Sequence, residues 1–183
     1  MSLRRVVVLH GYTAHPGKHW FGWLREQLAP LGVVTEVPAL PDTEHPDAGA
    51  WTDAAVAAIG RVDADTAVVG HSLGTITAIR ALGRVLAEQP DARLGALALV
   101  APFVDPVPIY PELTPFTVGV PELPALAERI DRRLVLRSDF DPEVPIELAP
   151  RVVAGLSAEE VVVPAAGHFC ESEGVTTLPA LAD

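Results

Sequence analysis

Thr66-Ala67-Val68-Val69, followed at once by Gly70-His71-Ser72-Leu73-Gly74, sets a short apolar run directly against a glycine-flanked serine. The run reads as a strand buried on both faces. Ser72 to Leu86 then reads as a helix. A serine between such a strand and helix, in the pattern G-x-S-x-G, sits on a tight turn with strained backbone angles. Bulky side chains two positions to either side would collide with neighbouring elements, so glycine occupies both. The turn lifts the Ser72 hydroxyl clear of the sheet. It also aims the helix N-terminus at whatever charge develops beside that hydroxyl. Simple helix capping by Ser72 would need no glycine at both flanks.

Working outward, further strands are expected at Val6–Leu9, Val33–Val37, Leu94–Val100, Leu134–Leu136 (extending toward Ser138) and Val161–Val163. Helices are expected at Trp20–Leu28, where Trp20, Trp23, Leu24 and Leu28 have helical spacing, and at Ala50–Ile59. A short helix is expected within Pro145–Val153, and a last one after Glu173. Strands alternating with helices imply an α/β fold: right-handed βαβ units and a mainly parallel sheet of about six strands, covered on both faces. Residues 102–125 break the pattern with seven prolines and no periodicity. They read as a loop or short cap over one edge of the sheet, where ligand sites lie. No linker divides the chain, so residues 1–183 are expected to form one domain.

Apolar residues make up 49% of the 183, enough for a sizeable core, and the formal net charge is -11. An acidic chain lacks the basic face that nucleic acid requires, and strongly anionic substrates are disfavoured. The single cysteine, Cys170, permits no intramolecular disulfide and demands no oxidising compartment. The N-terminal apolar run is too short for a signal peptide or a membrane span. A cytoplasmic protein without membrane contact is expected. No signal for an oligomeric state stands out.

A serine hydroxyl needs a base, and the base needs an orienting acid, in the chain order Ser, acid, His for this type of turn. His168 is the only histidine after Ser72. It follows the strand Val161–Val163 and so lies on a loop at a strand's carboxyl end. Asp139, Asp141 and Glu143 all follow the preceding strand. Asp141 is favoured because Pro142 after it suits a first helical position, which would make Asp141 an N-cap. The Leu73 N–H is placed as one oxyanion donor. The second is expected from the loop after the first strand, at Tyr12, with Thr13 as the fallback. His71 should point away from the hydroxyl, and His10 should brace the Tyr12 loop. Phe103 and Phe116 are candidate pocket walls, and Trp20, Trp23 and Trp51 are most simply packing residues. His15 and His19 have a metal-ligand spacing, but Pro16 and Gly17 interrupt any helix between them, so no metal and no cofactor is expected.

Val7-Val8-Leu9-His10-Gly11-Tyr12, Trp20-Phe21-Gly22-Trp23-Leu24, Gly70–Gly74, Val100-Ala101-Pro102-Phe103, Ser138-Asp139-Phe140-Asp141-Pro142 and Gly167-His168-Phe169 together span nearly the whole chain. In order and spacing they resemble the small serine hydrolase family that includes retinoblastoma-binding protein nine and YdeN-like bacterial proteins. The resemblance implies a compact α/β-hydrolase fold, a three-layer α/β/α sandwich lacking the first two strands of larger members. It implies a triad at Ser72, Asp141 and His168 and hydrolysis of small-molecule esters. Thioesterase, amidase or acyltransferase chemistry would use the same three residues. A binding protein with a vestigial site would not require all of them.

Overall fold

The computed structural model describes residues 3–182. Six strands form one sheet: β1 (Arg5–Leu9), β2 (Val34–Glu36), β3 (Thr66–His71), β4 (Leu94–Val100), β5 (Ile130–Ser138) and β6 (Glu159–Val163). Their order is β2-β1-β3-β4-β5-β6, and every neighbouring pair is parallel. The helices are α1 (Phe21–Leu28), α2 (Ala48–Ile59), α3 (Leu73–Glu88), α4 (Leu123–Ala127) and α5 (Ala149–Leu156).

The period-2 alternation of the strands divides the core into two layers. Val7, Leu9, Val68, Leu97 and Leu99 face one way, under Trp51, Ala55 and Ile59 of α2, Ile76 and Ile79 of α3, and Val152 of α5. Val6, Val8, Ala67, Val69, Ala98 and Val100 face the other way, under Phe21, Leu24 and Leu28 of α1, with Phe169 and Leu178 completing the cover. The result is a three-layer α/β/α sandwich.

Three local expectations are corrected. Among the described residues no α-helix follows Glu173: the tail forms 3₁₀ turns at Glu171–Glu173 and Pro179–Leu181, because Gly174 at φ +86 ends the first and Pro179 restarts the chain. Strand β5 begins four residues earlier than Leu134. After the buried Ile130, Asp131, Arg132 and Arg133 are polar and only partly buried or exposed, so they carry no apolar signal. Asp141 caps no helix, since regular structure resumes only at Ile146, after Pro145. Within the proline-rich segment, Pro111–Thr117 forms a 3₁₀ helix and α4 follows. Arg80 of α3 ties this segment down by donating to the carbonyls of Phe116 (3.1 Å) and Val118.

Candidate active site

The carboxyl ends of β1, β3, β4, β5 and β6 meet around a cavity of about 360 Å³. Ser72 lines it from the turn between β3 and α3, with φ 54° and ψ -123°. A non-glycine residue at that φ is strained and persists only where its surroundings hold it. The surroundings do so here. Ser72 N–H donates to the Val100 carbonyl (2.9 Å), and the Ser72 carbonyl accepts from Thr75 N–H (2.8 Å) and Thr75 Oγ1 (2.6 Å). The flanking glycines are required by backbone proximity. A Cβ on Gly70 would stand 2.7 Å from Gly74 O, and one on Gly74 would run into the Leu9 carbonyl and stand 2.7 Å from His10 O.

His168 arrives on the loop after β6 and lines the same cavity. Its Nδ1 lies 2.8 Å from Asp141 Oδ2 and 3.0 Å from Oδ1. Both side chains are buried, His168 at 9% and Asp141 at 4% side-chain exposure. Asp141 Oδ1 also accepts from the N–H groups of Glu143 (2.8 Å) and Val144 (2.9 Å), which fixes the carboxylate's orientation. The acid beside the imidazole is therefore Asp141. Asp139 instead accepts from Ala165 N–H at 2.7 Å, and Glu143 accepts from the Tyr110 hydroxyl. Ser72 and His168 share the cavity wall, and among the described residues no direct hydrogen bond joins them. Such contacts often tighten only in the substrate complex.

The backbone of His168 is gripped from both sides. Its N–H donates to Glu173 Oε2 (2.7 Å), which also accepts from Cys170 N–H (3.2 Å). Its carbonyl lies 2.8 Å from His71 Nε2, the ring donor of that pair. Burial drives the His71 pKa far below the ordinary imidazole range, so the ring is neutral and holds its hydrogen at Nε2. The His71 ring is thus committed to the His168 carbonyl, and its grip on the His168 loop was not legible in the sequence. A ring donor and a carbonyl 97 residues apart leave no spacing signal. Glu173 was equally invisible. A capping pattern around a 3₁₀ turn is common, and nothing local marks this one as supporting His168.

His10 braces the opposite loop. Its Nδ1–H donates to Gly11 O (3.0 Å), and Nε2 accepts from Leu40 N–H (3.1 Å). Desolvation lowers its pKa, so it stays neutral. This loop packs against the serine so closely that a Cβ on Gly11 would stand 3.0 Å from Ser72 Cβ. Thr13 N–H is committed to the Thr43 carbonyl at 3.0 Å. Tyr12 N–H and Leu73 N–H have no partner among the described residues. Phe103 lines the cavity. Phe116 does not, which corrects the expectation for it: it is fully buried in the core, edge-on to Trp51 at 5.7 Å between ring centroids. Cys170 reaches the wall, but its thiol faces the His168 carbonyl at 3.6 Å and burial pushes its pKa up to about 12. It is a packed thiol rather than a thiolate. Among the described residues no cluster of side chains could hold a metal ion, and no helix is long and apolar enough to cross a membrane.

Comparison with known protein families matches residues 6–183 to the serine hydrolase family. The chain belongs to that family. It is 31% identical over 180 residues to YdeN of Bacillus subtilis (strain 168), covering 98% of this chain and 93% of that protein. The crystal structure of the B. subtilis ydeN gene product superposes with a TM-score of 0.92, covering 98% of this chain and 95% of that one. Est1E from Butyrivibrio proteoclasticus shares the fold at 16% identity and a TM-score of 0.70, covering 99% of this chain and 86% of that one.

Proposed function

We propose that this serine hydrolase cleaves small carboxylic esters through an acyl-enzyme on Ser72. The observation that carries the reading is the pairing of His168 Nδ1 with Asp141, 2.8 Å apart, beside the cavity that Ser72 lines. With Nδ1–H directed at the carboxylate, Nε2 of the neutral ring is the free acceptor, the tautomer a general base needs. His168 takes the Ser72 proton as the oxygen attacks the ester carbonyl. The carbonyl oxygen becomes an oxyanion held by the uncommitted N–H groups of Leu73 and Tyr12. His168 then protonates the departing alcohol. Water, deprotonated by the same ring, attacks the acyl-enzyme, and the acid leaves as Ser72 recovers its proton. Asp141 keeps the imidazole oriented and stabilises its protonated form.

The chemistry needs no metal or cofactor. The same three residues support thioester or amide cleavage, and the ester reading is preferred over the amide because an alcohol is a less demanding leaving group than an amine. Ser72→Ala is expected to abolish both p-nitrophenyl acetate turnover and labelling by a fluorophosphonate probe, with the melting temperature near wild type. Turnover or labelling that persists in Ser72→Ala would sink the assignment.

A further inference from the structure

The two walls of the cavity lie on opposite faces of the sheet. Phe103, Val107 and Leu113 form an apolar wall continuous with the core under α2 and α3. Lys18, His19 and Ser172 form a polar wall from the loops after β1 and β6, on the α1 face. His19 is the best-fixed polar group of that wall. Its backbone is strained at φ 55°. Its N–H donates to Glu171 Oε2 (3.1 Å), and its Nδ1 accepts from Glu171 N–H (3.2 Å). Its ring packs edge-on against Phe21 at 5.6 Å and His71 at 5.2 Å. An imidazole that accepts at Nδ1 must, when neutral, carry its hydrogen at Nε2. Burial lowers the His19 pKa to about 4, so the ring is neutral at working pH. Among the described residues nothing accepts from His19 Nε2, and the steps above make no use of it.

We propose that His19 Nε2–H is a preset neutral donor to an oxygen of the leaving alcohol, so that the enzyme prefers esters whose alcohol bears a second hydroxyl or ether oxygen. The inference rests on the ester reading above. Its direction follows from His168, which must stand beside the leaving oxygen in order to protonate it. His168 and His19 both line the cavity and both pack on the His71 ring, whose centroid lies 5.2 Å from each. The alcohol therefore runs toward the polar wall, and the acyl chain toward Phe103. Charge selects a neutral oxygen over an anionic one. Lys18 is already paired with Glu171 at 2.9 Å, and Glu173 adds a further carboxylate nearby.

Two matched substrate pairs test this: 2-hydroxyethyl against propyl butyrate, and 2-methoxyethyl against butyl butyrate. Each pair differs by one oxygen in place of a carbon. A single neutral hydrogen bond predicts about 3- to 10-fold higher kcat/KM for the oxygenated ester of each pair in the wild type. The preference should collapse toward one in His19→Phe, which keeps the aromatic packing and removes the donor. The methoxy pair needs no variant, so misfolding of His19→Phe leaves the question answerable. A preference for hydroxyethyl but not for methoxyethyl would overturn the proposal, because the protein group would then be an acceptor. Equal turnover within both pairs would also overturn it, leaving the ester reading intact. Absence of all ester turnover and of fluorophosphonate labelling would remove both.

Discussion

Replacing Glu173 with alanine deletes the one acceptor shared by His168 N–H (2.7 Å) and Cys170 N–H (3.2 Å). Hydrogen bonds to a charged partner contribute about 1.5–3 kcal/mol each when shielded from water. Glu173 is exposed, and the freed N–H groups can turn to solvent, so screening reduces the pair to about 1–2 kcal/mol together. That energy holds a loop with two left-handed residues, Gly167 at φ 55° and Phe169 at φ 60°, whose relaxation would swing the His168 ring. An imidazole displaced with that frequency lowers kcat about 5- to 30-fold. The assay is steady-state hydrolysis of p-nitrophenyl acetate beside thermal melting. Glu173→Ala should lose kcat with little change in KM, and Glu173→Gln, which retains a carbonyl acceptor, should recover most of it. Wild-type kcat in Glu173→Ala would refute the reasoning. So would equal losses in both variants that track melting temperature, since those mark a stability effect alone.

Two further outcomes are expected. Gly74→Ala drives a methyl into the Leu9 and His10 carbonyls, which are backbone and cannot rotate aside. Overpacking of that kind costs about 1–3 kcal/mol, or roughly 2–12 °C of melting temperature in a chain of this size. A melting temperature within a degree of wild type would show that α3 moves away from β1 without strain. Stability should also decline under mild acid. His19 and His71 both have folded pKa values below the ordinary imidazole value, so the unfolded chain binds their protons first. Their contribution is full above about pH 6.5 and is lost progressively as pH falls toward the folded values. Urea midpoints measured from pH 7.5 to 5 should fall with pH. Replacing His71 with glutamine should flatten that slope, and an unchanged slope would contradict the assignment.

The apolar runs of β1, β3 and β4 were legible because a strand covered on both faces has no polar alternation to obscure it. The turn at Ser72 was legible for a related reason. Its glycines answer to contacts with segments close in sequence or directly adjacent in the sheet. Strand β5 was half hidden, since Asp131, Arg132 and Arg133 sit on its partly exposed beginning. The tail was misread as helix because its apolar residues serve 3₁₀ turns that pack Leu178 against the sheet. Phe116 was placed at the cavity by its position in the proline-rich segment, but that segment folds inward and spends the ring on Trp51.

From the sequence alone one can derive the parallel α/β sheet, the strained serine and the single downstream histidine, because each depends on local pattern or on chain order. Which of three acidic side chains meets that histidine is decided only by the tertiary structure. So are the roles of His71, Glu173 and His19. Hydrogen-bond partners separated by many residues are brought together by sheet order and loop path, and their geometry is encoded by no spacing along the chain.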